Sequence, residues 1–432
     1  MRTMRPPEAF LEKMQALLGA AFGSFLAEYE KPPLRGLRRN ALKLSPALDA
    51  ALRGWEPAEW NEALLFVPEG RRPGLWPEQA AGLYYLQEPS ASLPVGALGV
   101  RPGMRVLDLC AAPGGKSTQI AEALAGEGIL VANEVHAGRA RILLENIERQ
   151  GVANAVVLNE SPQRLAAHFG PWFDAVLVDA PCSGEGMFRR DDEAIAQWSE
   201  RALRGCHERQ LEILLEAAKL LRPGGRLVYS TCTFNTLENE GSVEAFLCAR
   251  PEFSLIGAER AMPHTHRGEG QFYAVFTKQG GEGERRLPAL GAAGPDERFS
   301  RFAGEALNES PFWRETRPQG DWLYALPGGM PELKGLRVLR AGLQLGRLLP
   351  KRFEPAHALA LCAKRGIFQQ EKVLLPEEAL LYLRGEALEA HFLGWGTVTL
   401  GGWPLGLAKG AEGRLQNHYP KGLRREGLRA CP

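Results

Sequence analysis

Between residues 97 and 278, short apolar runs alternate with longer stretches whose apolar positions recur every three or four residues. Residues 106–109, 129–132, 155–158, 175–178 and 227–229 read as buried strands. The segments between them read as helices. One carries Ile120 and Leu124 on a single face. A second runs to about Gln150, with Ile142, Leu143 and Ile147 inward and Gly151 as its C-terminal cap. A long third helix has Leu211, Leu214, Leu215 and Ala218 at helical spacing and is stopped by residues 223–225. Strands alternating with helices predict a mostly parallel sheet with right-handed crossovers. Two last apolar runs, 253–256 and 272–276, have no long helix between them and predict an antiparallel edge pair.

Outside this region the periodicity changes. Residues 1–96 mix helical stretches with short strands; acidic residues break the apolar pattern of the first thirty, which reads as an amphipathic helix and not a signal peptide. Residues 279–297 are rich in Gly, Pro and Ala and read as a linker. Residues 298–432 have their own apolar pattern, and one mixed α+β unit or two small ones would satisfy it.

Composition narrows the class. With 45% hydrophobic and 24% charged residues the chain has the makeup of a soluble globular protein. No run of about eighteen apolar residues exists to span a membrane, so cytoplasmic residence is expected. The cysteines are Cys110, Cys182, Cys206, Cys232, Cys248, Cys362 and Cys431. Their odd number, irregular spacing and lack of a C-x-x-C pair argue against a disulfide framework and a structural zinc site, so no metal is expected. Cys206 and Cys248, on helices, read as small buried hydrophobes. The net charge of +1 says little, but basic clusters at 31–43, 347–352 and 421–429 together suggest a phosphate-facing surface.

Three segments stand at strand ends, where open parallel sheets bind ligands. The first is Asp108-Leu109-Cys110-Ala111-Ala112-Pro113-Gly114-Gly115-Lys116-Ser117, a Gly-rich turn that lets a ligand approach the backbone at a helix N-terminus. Its end mimics a phosphate-binding P-loop, but that motif needs glycine where Cys110 stands. Glu134 ends the second strand, at the spacing of an acid that accepts from ribose hydroxyls. The second segment, Asp179-Ala180-Pro181-Cys182-Ser183-Gly184, places a carboxylate and a cysteine in a restrained turn. The third, Tyr229-Ser230-Thr231-Cys232-Thr233, follows the neighbouring strand, so Cys182 and Cys232 should reach one rim. Two thiols and a carboxylate facing a cofactor pocket suit methylation at cytosine C5. A thiolate adding to C6 makes C5 nucleophilic, and Asp179 can hold the base edge while charge develops.

At these residues the chain resembles the Sun-type RNA 5-cytosine methyltransferases, with the class I fold that uses S-adenosylmethionine (SAM). CAAPGGKST, VDAPCSGEG and YSTCTFNTLENE are similar to that family's cofactor loop and two cysteine motifs, and YYLQEPSASLPV, RRNALK and PHTHRGEGQFYAVF to its flanking segments. The resemblance implies an α/β, Rossmann-like, mostly parallel seven-stranded sheet. It implies Cys232 as nucleophile, Cys182 as the cysteine that releases product, and Cys110 to Lys116, Glu134, Arg139 and Asp179 around SAM. Where the family usually has an acid after the third strand, this chain has Asn159-Glu160-Ser161, and Ser161 or Asn159 is left to meet the adenine.

Segments 335–346, 352–360 and 402–425 resemble the tail of a bacterial small-subunit ribosomal RNA enzyme, which is similar to a PUA-type RNA-binding module. The expected organisation is an RNA-facing module at 1–96, a catalytic domain at 97–278, a linker at 279–297 and a PUA-like region at 298–432. The expected partner is 16S ribosomal RNA or the small subunit, bound by a monomer. A transfer-RNA methyltransferase of the same family and a non-catalytic RNA-binding assembly factor are the alternatives.

Overall fold

The alternating pattern folds into one large sheet with helices on both faces, in a computed structural model that describes residues 5–291, 293–308, 315–362, 366–389 and 391–431. Its strands are β1 (Arg105–Asp108), β2 (Ile129–Asn133), β3 (Ala155–Leu158), β4 (Phe173–Asp179), β5 (Leu221–Thr231), β6 (Phe253–Ala261), β7 (Gln271–Lys278) and β8 (Val338–Ala341). Their order is β6-β7-β5-β4-β1-β2-β3-β8. Strands β1 to β5 run parallel, and β7 and β6 form the expected antiparallel pair beside β5. Neighbouring residues serve opposite faces. Leu107, Val131, Val156 and Val176 enter one core with Leu214, whereas Val106, Leu130, Val157 and Leu177 enter the other with Ile120 and Leu143. Burial on both faces is why these strands read as unbroken apolar runs.

The fold class is the one expected, with one strand more than the seven implied. The eighth, β8, comes from the C-terminal third and pairs antiparallel with β3, Val338 opposite Leu158. It covers an edge that would otherwise expose unpaired backbone groups. Its apolar signal is disguised by Arg340, which is fully buried and donates to the carbonyls of Gly342 and Val152.

Several local expectations need correction. The long helix, Glu200–Leu220, ends before Pro223, and residues 222–225 are a bulge within β5, since Leu221 already pairs with Phe173 and Arg226 with Ala175. On helix Ala137–Arg149, Leu143 and Ile147 are buried one turn apart, but Ile142 is 48% exposed, because one residue turns a helix by about 100°. The N-terminal amphipathic segment is two helices, Glu8–Leu18 and Phe22–Tyr29, joined at Gly19–Ala21. Their Phe10, Met14 and Phe25 pack on Phe188, Phe234 and Met262 from loops at the sheet's carboxyl rim. Cys248 is exposed and Cys206 only partly buried, so neither is the core residue expected.

A four-stranded sheet formed by Pro57–Ala58, Asn61–Phe66, Gly36–Arg39 and Tyr84–Gln87 precedes the large one. After it come two further sheets, one of four strands between Thr316 and Pro355 and one of five between Glu371 and Asn417. The first and last of these share a core, in which Leu37, Leu48 and Tyr84 meet Tyr382, Val398 and Leu405.

Two residues of the basic cluster at 31–43, Arg38 and Lys43, are buried and structural, whereas Lys31 and Arg35 are exposed. Arg38 is fully buried and donates to Thr118 Oγ1 (2.7 Å), the Gly115 carbonyl (2.9 Å), Gln87 and Glu122. Lys43 is also buried and donates to the carbonyls of Ala81 (2.8 Å) and Arg149 (3.2 Å); burial lowers its pKa to about 7. The other two clusters are exposed at Arg347, Lys351, Arg352, Lys421, Arg424, Arg425 and Arg429.

Arg38→Met should therefore destabilise the fold by about 3–5 kcal/mol, because it strands the Glu122 carboxylate in a buried setting. Lys421→Ala should shift stability by less than about 0.5 kcal/mol. Urea denaturation at neutral pH measures both.

Candidate active site

All the candidate residues lie at the carboxyl rim of the sheet, at the ends of β1, β2, β4 and β5, in the loops that follow, or in the first turn of the helices after β1 and β2. The first loop leaves β1 by borrowing hydrogen bonds from its neighbours: Leu109 N–H donates to Leu177 O (2.9 Å) and Ala111 N–H to Asn133 O (2.8 Å). At Gly114 the backbone turns left-handed (φ +113°), close enough to the next helix that a Cβ would lie 3.2 Å from Leu143 Cδ1. The helix Gly115–Leu124 then begins. This loop borders a cavity of about 200 Å³ lined by Tyr85, Gln87, Asp108, Cys110, Lys116 and Asp179, among others. Ala111, Ala112, Pro113 and Gly115 complete that side.

Charge in the cavity is arranged. Asp108 is buried; Ser117 Oγ donates to its Oδ2 (2.6 Å), while Oδ1 has no partner among the described residues. Burial raises its pKa to about 7. Lys116 Nζ donates to Asp179 Oδ2 (2.8 Å), and Asp179 Oδ1 accepts from Ser230 Oγ (2.7 Å) and Gln271 Nε2 (3.4 Å). Burial favours a neutral Lys116, but the Asp179 carboxylate outweighs it and the ammonium's pKa is raised. Glu134, after β2, is buried and accepts from His136 N–H (2.9 Å). Arg139 spans from Glu134 Oε2 (3.4 Å) to the Ala112 carbonyl (2.6 Å), tying the second loop to the first.

The two cysteines meet. Asp179 sits opposite Ser230 in the β4–β5 register, and Ala180 N–H donates to Ser230 O (2.9 Å), so the two loops leave the sheet side by side. Cys182 Sγ and Cys232 Sγ are 3.2 Å apart. The contact with Cys232, then burial, raises the Cys182 pKa well above the ordinary thiol range. Cys110 belongs to the loop after β1 and packs partly against the sheet core; burial raises its pKa too.

Two buried carboxylates hold this pair, and sequence reasoning passed over both. Glu185 Oε2 accepts from Thr233 Oγ1, Phe234 N–H and Asn235 N–H, each at 2.8 Å, and Trp198 Nε1 donates to its other oxygen (2.9 Å). Glu238 accepts from Ser183 N–H (3.0 Å), Gln210 Nε2 (2.7 Å) and Asn235 Nδ2 (2.7 Å). Gly186 N–H donates to the Cys232 carbonyl (2.8 Å), where a Cβ on residue 186 would also lie 2.8 Å from that oxygen. The available signal was the glutamate three residues after Cys182 and the one six residues after Cys232. Asp108, Tyr85 and Gln87 were missed as cavity residues. Asp108 could have been found by the rule that found Asp179, a carboxylate leaving an apolar strand.

Of the two residues proposed for the position beyond β3, Asn159 is buried, its amide donating to the carbonyls of Glu134 (2.7 Å) and Val135 (2.9 Å). Ser161 caps the helix Pro162–Phe169. Among the described residues, no group of three or more His, Cys, Asp or Glu side chains could hold a metal ion, and no helix is long and apolar enough to cross a membrane.

Comparison with known proteins matches residues 95–277 to the family described as 16S rRNA methyltransferase RsmB/F. Residues 7–89 match the N-terminal domain of 16S rRNA methyltransferase RsmF, residues 301–362 the RsmF rRNA methyltransferase first C-terminal domain, and residues 374–425 the methyltransferase RsmF PUA domain. The chain is 34% identical to the ribosomal RNA small subunit methyltransferase F of Erwinia tasmaniensis and to that of Klebsiella pneumoniae, over 98% of its own length and 97% of each relative. Among solved structures, PH0851 shares 29% identity with a TM-score of 0.60, over 63% of this chain and 66% of that one, just under two thirds. A methyltransferase homolog from Pyrococcus horikoshii shares 28% with a TM-score of 0.56, over 63% and 95%. The architecture is thus a Rossmann-like SAM-dependent methyltransferase fold with an N-terminal module and a C-terminal PUA domain.

The sulfur contact predicts a coupled titration. In Cys232→Ala, Cys182 loses the group that most raises its pKa, so its alkylation by iodoacetamide should rise at a lower pH than in the parent protein. It should stay above the ordinary thiol range, because burial persists. Rates against pH, read on the Cys182 peptide by mass spectrometry, check this.

Proposed function

The chain belongs to the RsmB/F family of 16S rRNA methyltransferases and is of the RsmF type, and on that premise we propose that it methylates carbon 5 of cytosine in 16S ribosomal RNA through a covalent cysteine adduct, with SAM as methyl donor. The observation that carries this reading is the 3.2 Å sulfur pair on the loops after β4 and β5, with the Lys116–Asp179 ion pair on the adjoining cavity wall.

The cavity fits the cofactor on its own chemistry. A buried carboxylate with a free oxygen, Asp108 Oδ1, suits an ammonium group. Gly115 puts backbone in the cavity wall, and Glu134, just beyond the neighbouring strand β2, has carboxylate oxygens that suit paired hydroxyls. Cys110, Ala111, Ala112, Pro113, Gly114, Gly115 and Lys116 would hold the cofactor together with Glu134, Arg139 and Asp179. When bound, it supplies an electrophilic methyl group for C5.

The chain's own residues do the rest. Cys232, as thiolate, adds to C6, forming a carbon–sulfur bond and moving the C5–C6 electron pair toward C5, which becomes the nucleophile. Asp179 accepts from the exocyclic amine, and the Lys116 ammonium beside it stabilises negative charge on the base. After methylation, loss of the C5 proton to solvent returns the electron pair, breaks the C6–S bond and frees Cys232. Cys182 assists that release. Its raised pKa keeps it a thiol at neutral pH, able to give its proton to the departing sulfur 3.2 Å away. Glu185 and Glu238 position both loops without touching the base. The PUA domain and the exposed arginines near the C-terminus supply phosphate contacts.

Incubation with tritiated SAM and small ribosomal subunits, followed by mapping, should place label at cytosine C5. Cys232→Ala should abolish methylation with little loss of SAM binding. Cys182→Ala should accumulate an enzyme–RNA adduct, seen as a shifted band on a denaturing gel. Turnover intact in Cys182→Ala with no adduct would overturn the assigned roles.

A further inference from the structure

A second cavity, about 540 Å³, opens on the rim beyond Glu134. Val135, Asn159 and Ser161 line one side, after β2 and β3; Leu336 and Arg337 line the other and come from the C-terminal third of the chain. The topology puts them there. Because β8 runs antiparallel to β3, with Val338 opposite Leu158, the chain entering β8 must cross the carboxyl end of β3.

This crossing is built, not draped. The Arg164 guanidinium donates to the Gly335 carbonyl. Arg337 N–H donates to Glu160 Oε1 (2.6 Å) and its guanidinium to Asn159 Oδ1 (3.0 Å), while Asn159 N–H donates to the Arg337 carbonyl (3.0 Å). The Asn159 amide in turn holds the carbonyls of Glu134 and Val135. One hydrogen-bonded relay therefore fixes residues 335–337 relative to the loop that carries Glu134. Beside it, Val135 leaves 53% of its surface exposed, and Leu336 is only partly buried. Val135 and Leu336 are the apolar part of the lining, and Asn159, Glu160, Ser161, Arg164 and Arg337 set polar and charged groups around them; a heterocyclic base, with apolar faces and a polar edge, suits that combination.

We infer that residues Gly335, Leu336 and Arg337 form the outer wall of the adenine subsite, with Val135 and Leu336 as its apolar contacts. The inference rests on the reading in which Glu134 holds the ribose, since this cavity lies one strand further along the same rim. The strand order supports it: Asp179 on β4, Asp108 on β1, Glu134 on β2 and Asn159 on β3 follow one another toward β8. Cofactor affinity then depends on the C-terminal region being seated on the sheet edge.

The test is SAM binding by the full-length protein, measured by isothermal titration calorimetry. Leu336→Ala should weaken binding about tenfold by removing apolar contact, and Leu336→Trp should weaken it by filling the slot. An 8-azidoadenosyl analogue of SAM, irradiated on the unsubstituted protein, should label the peptides carrying Val135 or residues 335–337, a readout that needs no variant to fold. Unchanged affinity in both Leu336 variants, with binding weakened by Glu134→Ala, would overturn the inference and leave the cofactor site standing; so would label confined to other peptides. If Glu134→Ala also binds as the parent does, or the parent does not bind SAM, both readings fall.

Discussion

The parallel pairing of β4 with β5, and its register, is the constraint from which the rest of the site follows. Asp179 opposite Ser230 starts two loops from one level of the sheet, and three residues beyond Asp179 and two beyond Ser230 the sulfurs of Cys182 and Cys232 come within 3.2 Å. A slip of one residue would turn every side chain of β5 to the other face and separate the pair. Because both faces are apolar and buried, hydrophobicity alone does not choose the register; close packing of Val176, Leu177, Leu227 and Val228 in their two cores and the Ala180 N–H bond to Ser230 O hold this one.

Holding two thiols in contact asks more of the loops than of the strands. Loops that leave a sheet carry backbone N–H groups without ladder partners. Here Glu185 and Glu238 take up those of residues 183, 234 and 235 and so fix the loop conformations. Burying carboxylates is costly unless they are fully hydrogen-bonded. Both glutamates meet that condition: Glu185 accepts four hydrogen bonds, three of them at one oxygen. Neither lines the cavity beside Asp108 and Lys116.

The flanking regions are integrated with the sheet. Arg38, from the N-terminal module, reaches the first turn of the helix Gly115–Leu124 and so bears on the Gly-rich loop after β1. The last sheet shares a core with that module. The C-terminal third gives the central sheet its eighth strand and brings Leu336 and Arg337 to the rim. In an RsmF-type enzyme this links the PUA domain, through packed elements, to the region where the cofactor is proposed to lie.

What the sequence determined by itself was the central sheet and the residues at its rim. Continuous apolar runs separated by helical periodicity admit few other topologies, and carboxylates, glycines and cysteines at successive strand ends mark one edge. It was silent where a residue's role depends on a partner distant in the chain. Arg38 and Lys43 read as surface charge because nothing local reveals Glu122 or the carbonyls of Ala81 and Arg149. Glu185 and Glu238 drew no reading because nothing local reveals their partners, which include Thr233, Phe234 and Asn235 for the first and Ser183 and Gln210 for the second. β8 went unseen because a buried arginine interrupts its pattern and its mate lies about 180 residues earlier. Periodicity reports which side of an element faces the core; only the tertiary structure decides what lies there, since burial and pairing are set by contacts between segments that the chain order keeps apart.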